Sequence, residues 1–252
     1  MPSAPSPRSA SILEVNDLAV VLGGETVLDH VSFTIETAGI TAIVGPNGSG
    51  KTTLLRALLG LIPHEGRITW SPGVTLGYVP QRFSVPVTTP ISVREFFLLK
   101  SKRFWRPSKA FVEHLPHELD LVGLPRSVLD QPLGTLSGGQ IQRLLVSWAM
   151  IEHPDVLLFD EPTAAVDMGF SDTIYAIMQR LAKERGTTIL VVSHDLNVVW
   201  HHATTVLCLN RKLVCQGPPH EVLTPATIQQ LFGDVALYHH HDHPKHEEES
   251  GS

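Results

Sequence analysis

The chain has 252 residues, 42% hydrophobic and 17% charged, which is globular material with enough length to bury a substantial core. Its formal net charge of -6 excludes a nucleic-acid binder or polybasic membrane-surface protein as its bulk character. Only Cys208 and Cys215 are present, without a disulfide framework or secretion signal, which points to a reducing, cytoplasmic setting.

Met1 to Ser11 is rich in Pro and Ser, lacks the apolar stretch of a signal peptide, and reads as a disordered leader (1–11). No apolar run approaches the roughly 20 residues that span a bilayer, so any membrane role needs a partner. Ile12 to Val21 alternates apolar and polar residues, and Gly23-Gly24 turns the chain toward a second extended stretch, Val27 to Ile35. Together they predict an antiparallel β subdomain at the N-terminus. Ile40 to Val44 is a short apolar run entering a Gly-rich turn, and Thr52 to Leu61 has the leucine spacing of a helix. Short strands are expected at Arg67 to Trp70 and Val74 to Val79, around Ser71-Pro72-Gly73.

After Gln81, Pro86 and Pro90 break regular structure, and Ser92 with Glu95 forms a capping box for a helix over Val93 to Lys100. Ser108 caps a helix through Leu121, and Ser137 caps another over Gly138 to Met150. A helical subdomain is therefore expected at about 91–150, inserted between the strands of the α/β core. Val156 to Phe159 and Thr188 to Val192 are buried-strand runs separated by helical Ser171 to Arg185, the alternation of a parallel sheet. Thr205 to Leu209 and Leu213 to Gln216 form a hairpin around Arg211-Lys212, followed by a helix over Pro225 to Phe232. The expected folded unit is 12–238, and 239–252 is a polar His/Glu-rich flexible tail.

Gly45-Pro46-Asn47-Gly48-Ser49-Gly50-Lys51-Thr52, with Thr53 behind it, matches the phosphate-loop pattern between a predicted strand and helix. Its glycines let backbone N–H groups curl around phosphate oxygens, and the helix N-terminus adds positive potential. Lys51 is placed to reach the β- and γ-phosphates, and Thr52 to offer a hydroxyl to Mg²⁺. Asp160 and Glu161 follow a buried strand at the edge where open α/β sheets bind ligands. Asp160 suits the Mg²⁺ shell, and Glu161 suits a water attacking the γ-phosphate. Ser137-Gly138-Gly139-Gln140 opens a predicted helix, where a hydroxyl and free N–H groups make a second anion site.

The order of phosphate loop, Leu136-Ser137-Gly138-Gly139-Gln140 and Asp160-Glu161 resembles an ABC transporter nucleotide-binding subunit over Ile12 to Phe232. The resemblance implies an α/β fold, a P-loop NTPase of ABC ATPase type with an N-terminal antiparallel β subdomain and an inserted helical subdomain. It implies ATP and Mg²⁺, the ion held by Thr52, Gln81 and Asp160, with Glu161, His194 and Gln81 as the catalytic group. Gln81 corresponds to the Q-loop, Ala164-Ala165-Val166-Asp167 to the D-loop, and Ser193-His194-Asp195 to the switch whose His meets the γ-phosphate. Where the family places an adenine-stacking aromatic, this chain has Leu22 or Val21.

With a single phosphate loop and a single signature, the resemblance implies a second copy of the chain in a head-to-tail ATP sandwich dimer. It also implies integral membrane permease subunits, contacted near Gln81 to Arg106, an extracytoplasmic metal-binding protein reached indirectly, and a peripheral place on the cytoplasmic face of the cell membrane. No nucleic-acid partner is expected.

Val79-Pro80-Gln81-Arg82, Pro90 to Phe97 and Val206-Leu207-Cys208-Leu209-Asn210 resemble the zinc and manganese importer branch, most closely the zinc-uptake ATPases. Manganese or iron import stays open as an alternative, as does a non-transport ABC ATPase or a metal-buffering module. His239, His240, His241, His243 and His246 offer Zn²⁺ ligands, while a merely solubilising tail remains the competing reading. Cys208 and Cys215 are expected to face each other across their hairpin as packed thiols, with a disulfide or metal pair as the competing reading. His201 and His202 are expected at the surface, and Trp200, Phe96 and Phe97 in the core or an interface.

Overall fold

A computed structural model describes residues 11–81, 83–86, 88–101, 105–161 and 168–233. The expected D-loop at 164–167 and the His-rich stretch at 239–252 lie outside these residues, as does the leader except Ser11, which begins the first strand.

Strands β1 (Ser11–Leu22) and β2 (Glu25–Glu36) form the antiparallel hairpin expected around Gly23-Gly24. β3 (Ile40–Val44) then leads through the Gly-rich turn into α1 (Lys51–Leu58), which ends three residues earlier than its leucine spacing predicted. Gly60, at φ 69, turns the chain there. β4 (Glu65–Trp70) joins the hairpin to complete a three-stranded sheet ordered β2-β1-β4.

Leu13, Val15, Leu18 and Val20 are all buried on β1, so the inward period gains one residue after Val15. A register shift between Val15 and Leu18 absorbs it, with Asp17 in the left-handed region at φ 55. The neighbouring strand accommodates this bulge by carrying no side chain opposite it. A Cβ on Gly66 would overlap the Asp17 carbonyl oxygen, and Gly66 itself has φ 84.

The second sheet is six-stranded, in the order β5-β6-β7-β3-β8-β9. It uses β5 (Leu76–Val79), β6 (Val156–Asp160), β7 (Thr188–Val192), β8 (Thr205–Asn210) and β9 (Lys212–Gly217). All neighbours run parallel except the β8–β9 hairpin. Every residue of β3, β6 and β7 is buried, because the sheet is covered on both faces. Val156 and Leu158 join the core beneath the N-terminal sheet and α1, whereas Leu157 and Phe159 join the core beneath the helices.

Between β5 and β6 lie α2 (Val93–Leu98), α3 (Lys109–Leu121) and α4 (Gly138–Met150). Ser92 and Ser137 each close a capping box, with Glu95 and Gln140, and Ser108 caps α3 through Phe111 N–H. α5 (Met168–Arg185), α6 (Leu196–His202), α7 (Pro219–Val222) and α8 (Pro225–Phe232) complete the order.

Phe97 is fully buried, and Phe96 packs against Phe83 and Trp148. Trp200 is instead 47% exposed and outside the core. His202 stacks on buried Tyr175 rather than facing only water. Cys208 and Cys215 are not packed thiols but a disulfide. The hairpin register sets them directly opposite, with Cα atoms 4.8 Å apart, a spacing a disulfide accommodates.

Gly66→Ala is expected to lower unfolding free energy by roughly 2–3 kcal/mol, through both the overlap with Asp17 and the positive φ. Gly73→Ala, at φ 79 but with open space around it, is expected to cost about 1 kcal/mol. Urea denaturation of both variants checks this, and equal losses would remove the Asp17 contact from the account of the bulge.

Candidate functional site

The phosphate loop leaves β3 in the middle of the six-stranded sheet and is wedged between β8 and β2. A Cβ on Gly45 would overlap the Leu209 carbonyl oxygen, and one on Gly50 would come within 2.6 Å of Leu28 Cδ2. Gly48 (φ 79) and Gly50 (φ 97) take the left-handed conformations that curl the loop. Backbone bonds fix its outer side: Arg211 N–H donates to Ser49 O at 2.9 Å, and Asp29 N–H donates to Arg211 O at 2.8 Å.

Gly50 precedes α1 without a side-chain cap, so the helix begins with N–H groups that no capping side chain claims. Lys51 Nζ bends back to donate to Gly45 O and Pro46 O, each at 2.9 Å. Lys51 is only 6% exposed, and burial draws its pKa below the ordinary lysine range against the opposing pull of Glu161 and Asp160. Ser49 Oγ is buried in the same loop without a hydrogen-bond partner. An anion would satisfy all three features: the uncapped helix start, the folded-back ammonium and the unpaired hydroxyl.

The loop floors a cleft of about 340 Å³, lined by Asn47, Gly48, Lys51, Thr52 and Thr53 and faced by Val27, Gln81 and Glu161. Thr52 Oγ1 donates to Asp160 Oδ1 at 3.0 Å, bringing together two groups that lie 108 positions apart. Asp160 is 3% exposed. Burial is the largest influence on its carboxyl and raises its pKa, opposed first by the Thr52 hydrogen bond, while Glu161 adds to the rise. Gln81 Nε2 donates to Glu161 Oε2 at 2.6 Å, and Glu161 holds a left-handed backbone at φ 44, a conformation rare for a non-glycine residue.

Ser137, Gly138, Gly139 and Gln140 do not line this cleft. Ser137 Oγ accepts from Gln140 N–H at 3.3 Å, and Gln140 Oε1 accepts from Ser137 N–H at 2.9 Å, with Ser137 and Gly138 exposed at the start of α4. His194 is likewise exposed and outside the cleft lining. Its neighbours are firmly held. Ser193 is buried close to Tyr175, whose hydroxyl burial pushes up to about 12, and Asp195 caps α6 through Asn197 and Val198 N–H.

Three contributors were not picked out in the sequence. Tyr78 Oη donates to Asp160 Oδ2 at 3.5 Å, Arg56 acts electrostatically on the same carboxyl, and Val27 lines the cleft. Only the parallel pairing of β5 with β6, which sets Tyr78 opposite Leu158, puts that ring beside Asp160. Val21 and Leu22, the candidate adenine neighbours, are 54% and 40% exposed at the end of the first hairpin.

Among protein families, the ABC transporter family matches residues 28–164. The zinc import ATP-binding protein ZnuC of Pseudomonas putida is 35% identical over 244 residues, covering 95% of this chain and 92% of its own length. The protein of the same name from Cereibacter sphaeroides is 39% identical over 236 residues, covering 91% and 94%. A metal-chelate type ABC transporter solved in an inward-facing conformation superposes with a TM-score of 0.80 at 28% identity, covering 88% of this chain and 89% of that one. The cbiO1 structure from Clostridium perfringens, part of the ABC transporter complex cbiONQ, gives 0.71 at 26% identity, covering 90% and 98%.

A carboxyl whose pKa is raised in the fold costs stability once the pH climbs through that folded pKa. Asp160→Asn is therefore expected to raise the melting midpoint of the nucleotide-free protein at pH 7 by about 2–4 °C, the shift of ~1 kcal/mol in a chain this size. The gain should shrink as the pH falls toward the carboxylate range. Thermal scans across pH check this, and a destabilised variant at pH 7 would overturn the ordering of burial over the Thr52 bond.

Proposed function

The chain belongs to the ABC transporter family of ATPases, and from that premise we propose that it hydrolyses ATP to energise zinc uptake through a separate membrane permease. The observation that carries the catalytic half is the convergence of Lys51, Thr52, Gln81 and Glu161 on one cleft, with Asp160 bonded to Thr52 beside it. The observation that carries the cargo is the full-length similarity to zinc import ATP-binding proteins at 35–39% identity.

In this reading the loop N–H groups from Gly45 to Thr53 and the Lys51 ammonium hold the ATP phosphates. Thr52 Oγ1 and Asp160 Oδ1, hard oxygen donors 3.0 Å apart, fit Mg²⁺, with Gln81 completing the protein side. When bound, that ion neutralises charge developing on the phosphates. Glu161 accepts a hydrogen bond from the attacking water and orients it toward the γ-phosphate. Gln81 donates to Glu161 Oε2 at 2.6 Å, which leaves Oε1 for the water. Gln81 thus connects nucleotide chemistry to whatever moves its own loop.

A single chain leaves the site incomplete, since Ser137 to Gln140 and His194 lie outside the cleft. A second copy in head-to-tail orientation supplies the Ser137 helix start to the open side of the phosphate loop. His194 then reaches the γ-phosphate on closure. The helical segment 91–150 transmits that closure to the permease. Trp105 is 90% exposed and Leu99 56% exposed, beside a cleft of about 500 Å³ faced by Lys100, Arg106 and Phe111, which supports this region as the permease contact. No described helix is long and apolar enough to cross a membrane, so attachment at the cytoplasmic face runs through the permease. An extracytoplasmic metal-binding protein delivers the ion on the far side. Exposed Val21 and Leu22, with Val27, offer adenine apolar contact in place of aromatic stacking.

Glu161→Gln is expected to keep ATP binding while lowering turnover at least 100-fold and accumulating a nucleotide-bound dimer, read by steady-state hydrolysis and size-exclusion chromatography. Turnover near that of the parent would remove Glu161 from the water-orienting role. Lys51→Ala should weaken ATP binding at least 10-fold by fluorescence titration. Reconstitution with permease and binding protein should show ATP-driven zinc uptake, and manganese or iron carried without zinc would overturn the cargo.

A further inference from the structure

At the leading ends of β6 and β7, a strand's length from the phosphate cleft, three segments meet around a buried carboxylate. Glu118 of α3 is 0% exposed, and Arg185, at the end of α5, pairs with its Oε1 at 2.8 Å. One turn earlier on α3, His114 places Nε2 2.8 Å from the same oxygen. That contact is not aligned as a hydrogen bond, so the imidazole nitrogen is buried without a partner. His153, in the connection from α4 to β6, holds a left-handed backbone at φ 51 and lies with its ring centroid 5.3 Å from that of His114. One donor atom from each of His114, Glu118 and His153 falls within 4.8 Å of the other two.

An ordinary buried ion pair accounts for Arg185 and Glu118 but leaves His114 Nε2 buried beside them without a hydrogen bond. His153 Nδ1 accepts a hydrogen bond from Arg185 Nη1 at 3.4 Å, so that ring nitrogen carries a lone pair toward the cluster. The open side of the cluster gives onto a cleft of about 270 Å³ lined by His153, Asp155 and Arg185.

We propose that His114, Glu118 and His153 form a zinc-binding site, entered from this cleft as the metal displaces the Arg185 guanidinium from Glu118. Two imidazoles and one carboxylate are a donor set suited to Zn²⁺, with the fourth tetrahedral position left for water. The nitrogen ligands disfavour Mg²⁺ and Ca²⁺, which take oxygen. Ligands about 2.0–2.1 Å from zinc lie roughly 3.4 Å from one another, so His114 Nε2 and Glu118 Oε1, now 2.8 Å apart, open slightly while wider spacings, at most 4.8 Å, close by about 1 Å. The exchange replaces one cation by another beside the buried carboxylate, so Glu118 is never left unpaired. Arg185 has a second carboxylate, Asp155, on the same cleft. The occupied site ties α3 to the segment entering β6, joining the helical block to the sheet. Metal binding here does not depend on what the transporter carries.

The test uses the full chain with His239, His240, His241, His243 and His246 replaced by Ser, so that tail ligands do not report. Metal-free protein should take up one zinc in competition with a chromophoric chelator, and Co²⁺ should give the visible absorption of a tetrahedral nitrogen–oxygen site. His153→Ala, at an exposed position, is expected to weaken zinc at least 10-fold and abolish the cobalt band without moving the metal-free melting midpoint. His114→Ala should weaken it similarly. Undiminished zinc affinity in both variants would overturn the site. No permease is involved, so a failed zinc-uptake assay and a failed binding assay are separate results.

Discussion

A Cβ on Gly45 would strike the Leu209 carbonyl, and one on Gly50 would strike Leu28, so the phosphate loop is clamped between β8 and β2 by backbone approach. The rest of the site inherits its positions from that clamp. It fixes where α1 begins and turns the Lys51 ammonium back over the loop carbonyls. It also sets Thr52 at the height where β6 delivers Asp160. Because β3 is central and flanked by β7 and β8 in parallel, the ends of three strands converge beside the loop without any long connection having to reach there.

The cleft concentrates unfavourable local choices. Lys51 and Asp160 are both buried ions, with pKa values displaced by desolvation toward their neutral forms, and Glu161 takes a backbone conformation that a non-glycine residue rarely adopts. A folded unit this well buried elsewhere tolerates such costs, and phosphates with their metal ion offset them on binding. The Gln81 bond to Glu161 belongs to the same logic, since it occupies one carboxylate oxygen in a way that binding or movement of the loop can reverse.

Opposite ends of the same sheet do different work. The trailing ends of β3 and β6, with Gln81 after β5, form the nucleotide cleft, whereas the leading ends of β6 and β7 meet α3 through Glu118, Arg185 and two histidines. Alternate residues of β6 also face different cores, Val156 and Leu158 toward the N-terminal sheet and Leu157 and Phe159 toward the helices. The sheet is therefore the mechanical link between the nucleotide, the helical block and the second charged cluster.

The phosphate loop, the acidic pair after β6, the capping serines and most elements were legible from residues adjacent in sequence, because glycine spacing, caps and apolar runs act locally. The hairpin reading set Cys208 opposite Cys215, but the bulge at Asp17 and the stacking of His202 on Tyr175 depended on register and packing, and periodicity carried no signal for them. Tyr78 joined Asp160 only through strand pairing, 82 positions away. His114, Glu118, His153 and Arg185 are dispersed over three segments whose individual residues look like solvated helix surface and loop. By itself the sequence determined the nucleotide chemistry, since the groups that hold phosphate must be consecutive to share one loop. Only the tertiary structure decided which distant side chains share a charge, since burial and proximity are properties of the packed sheet and not of the strands that build it.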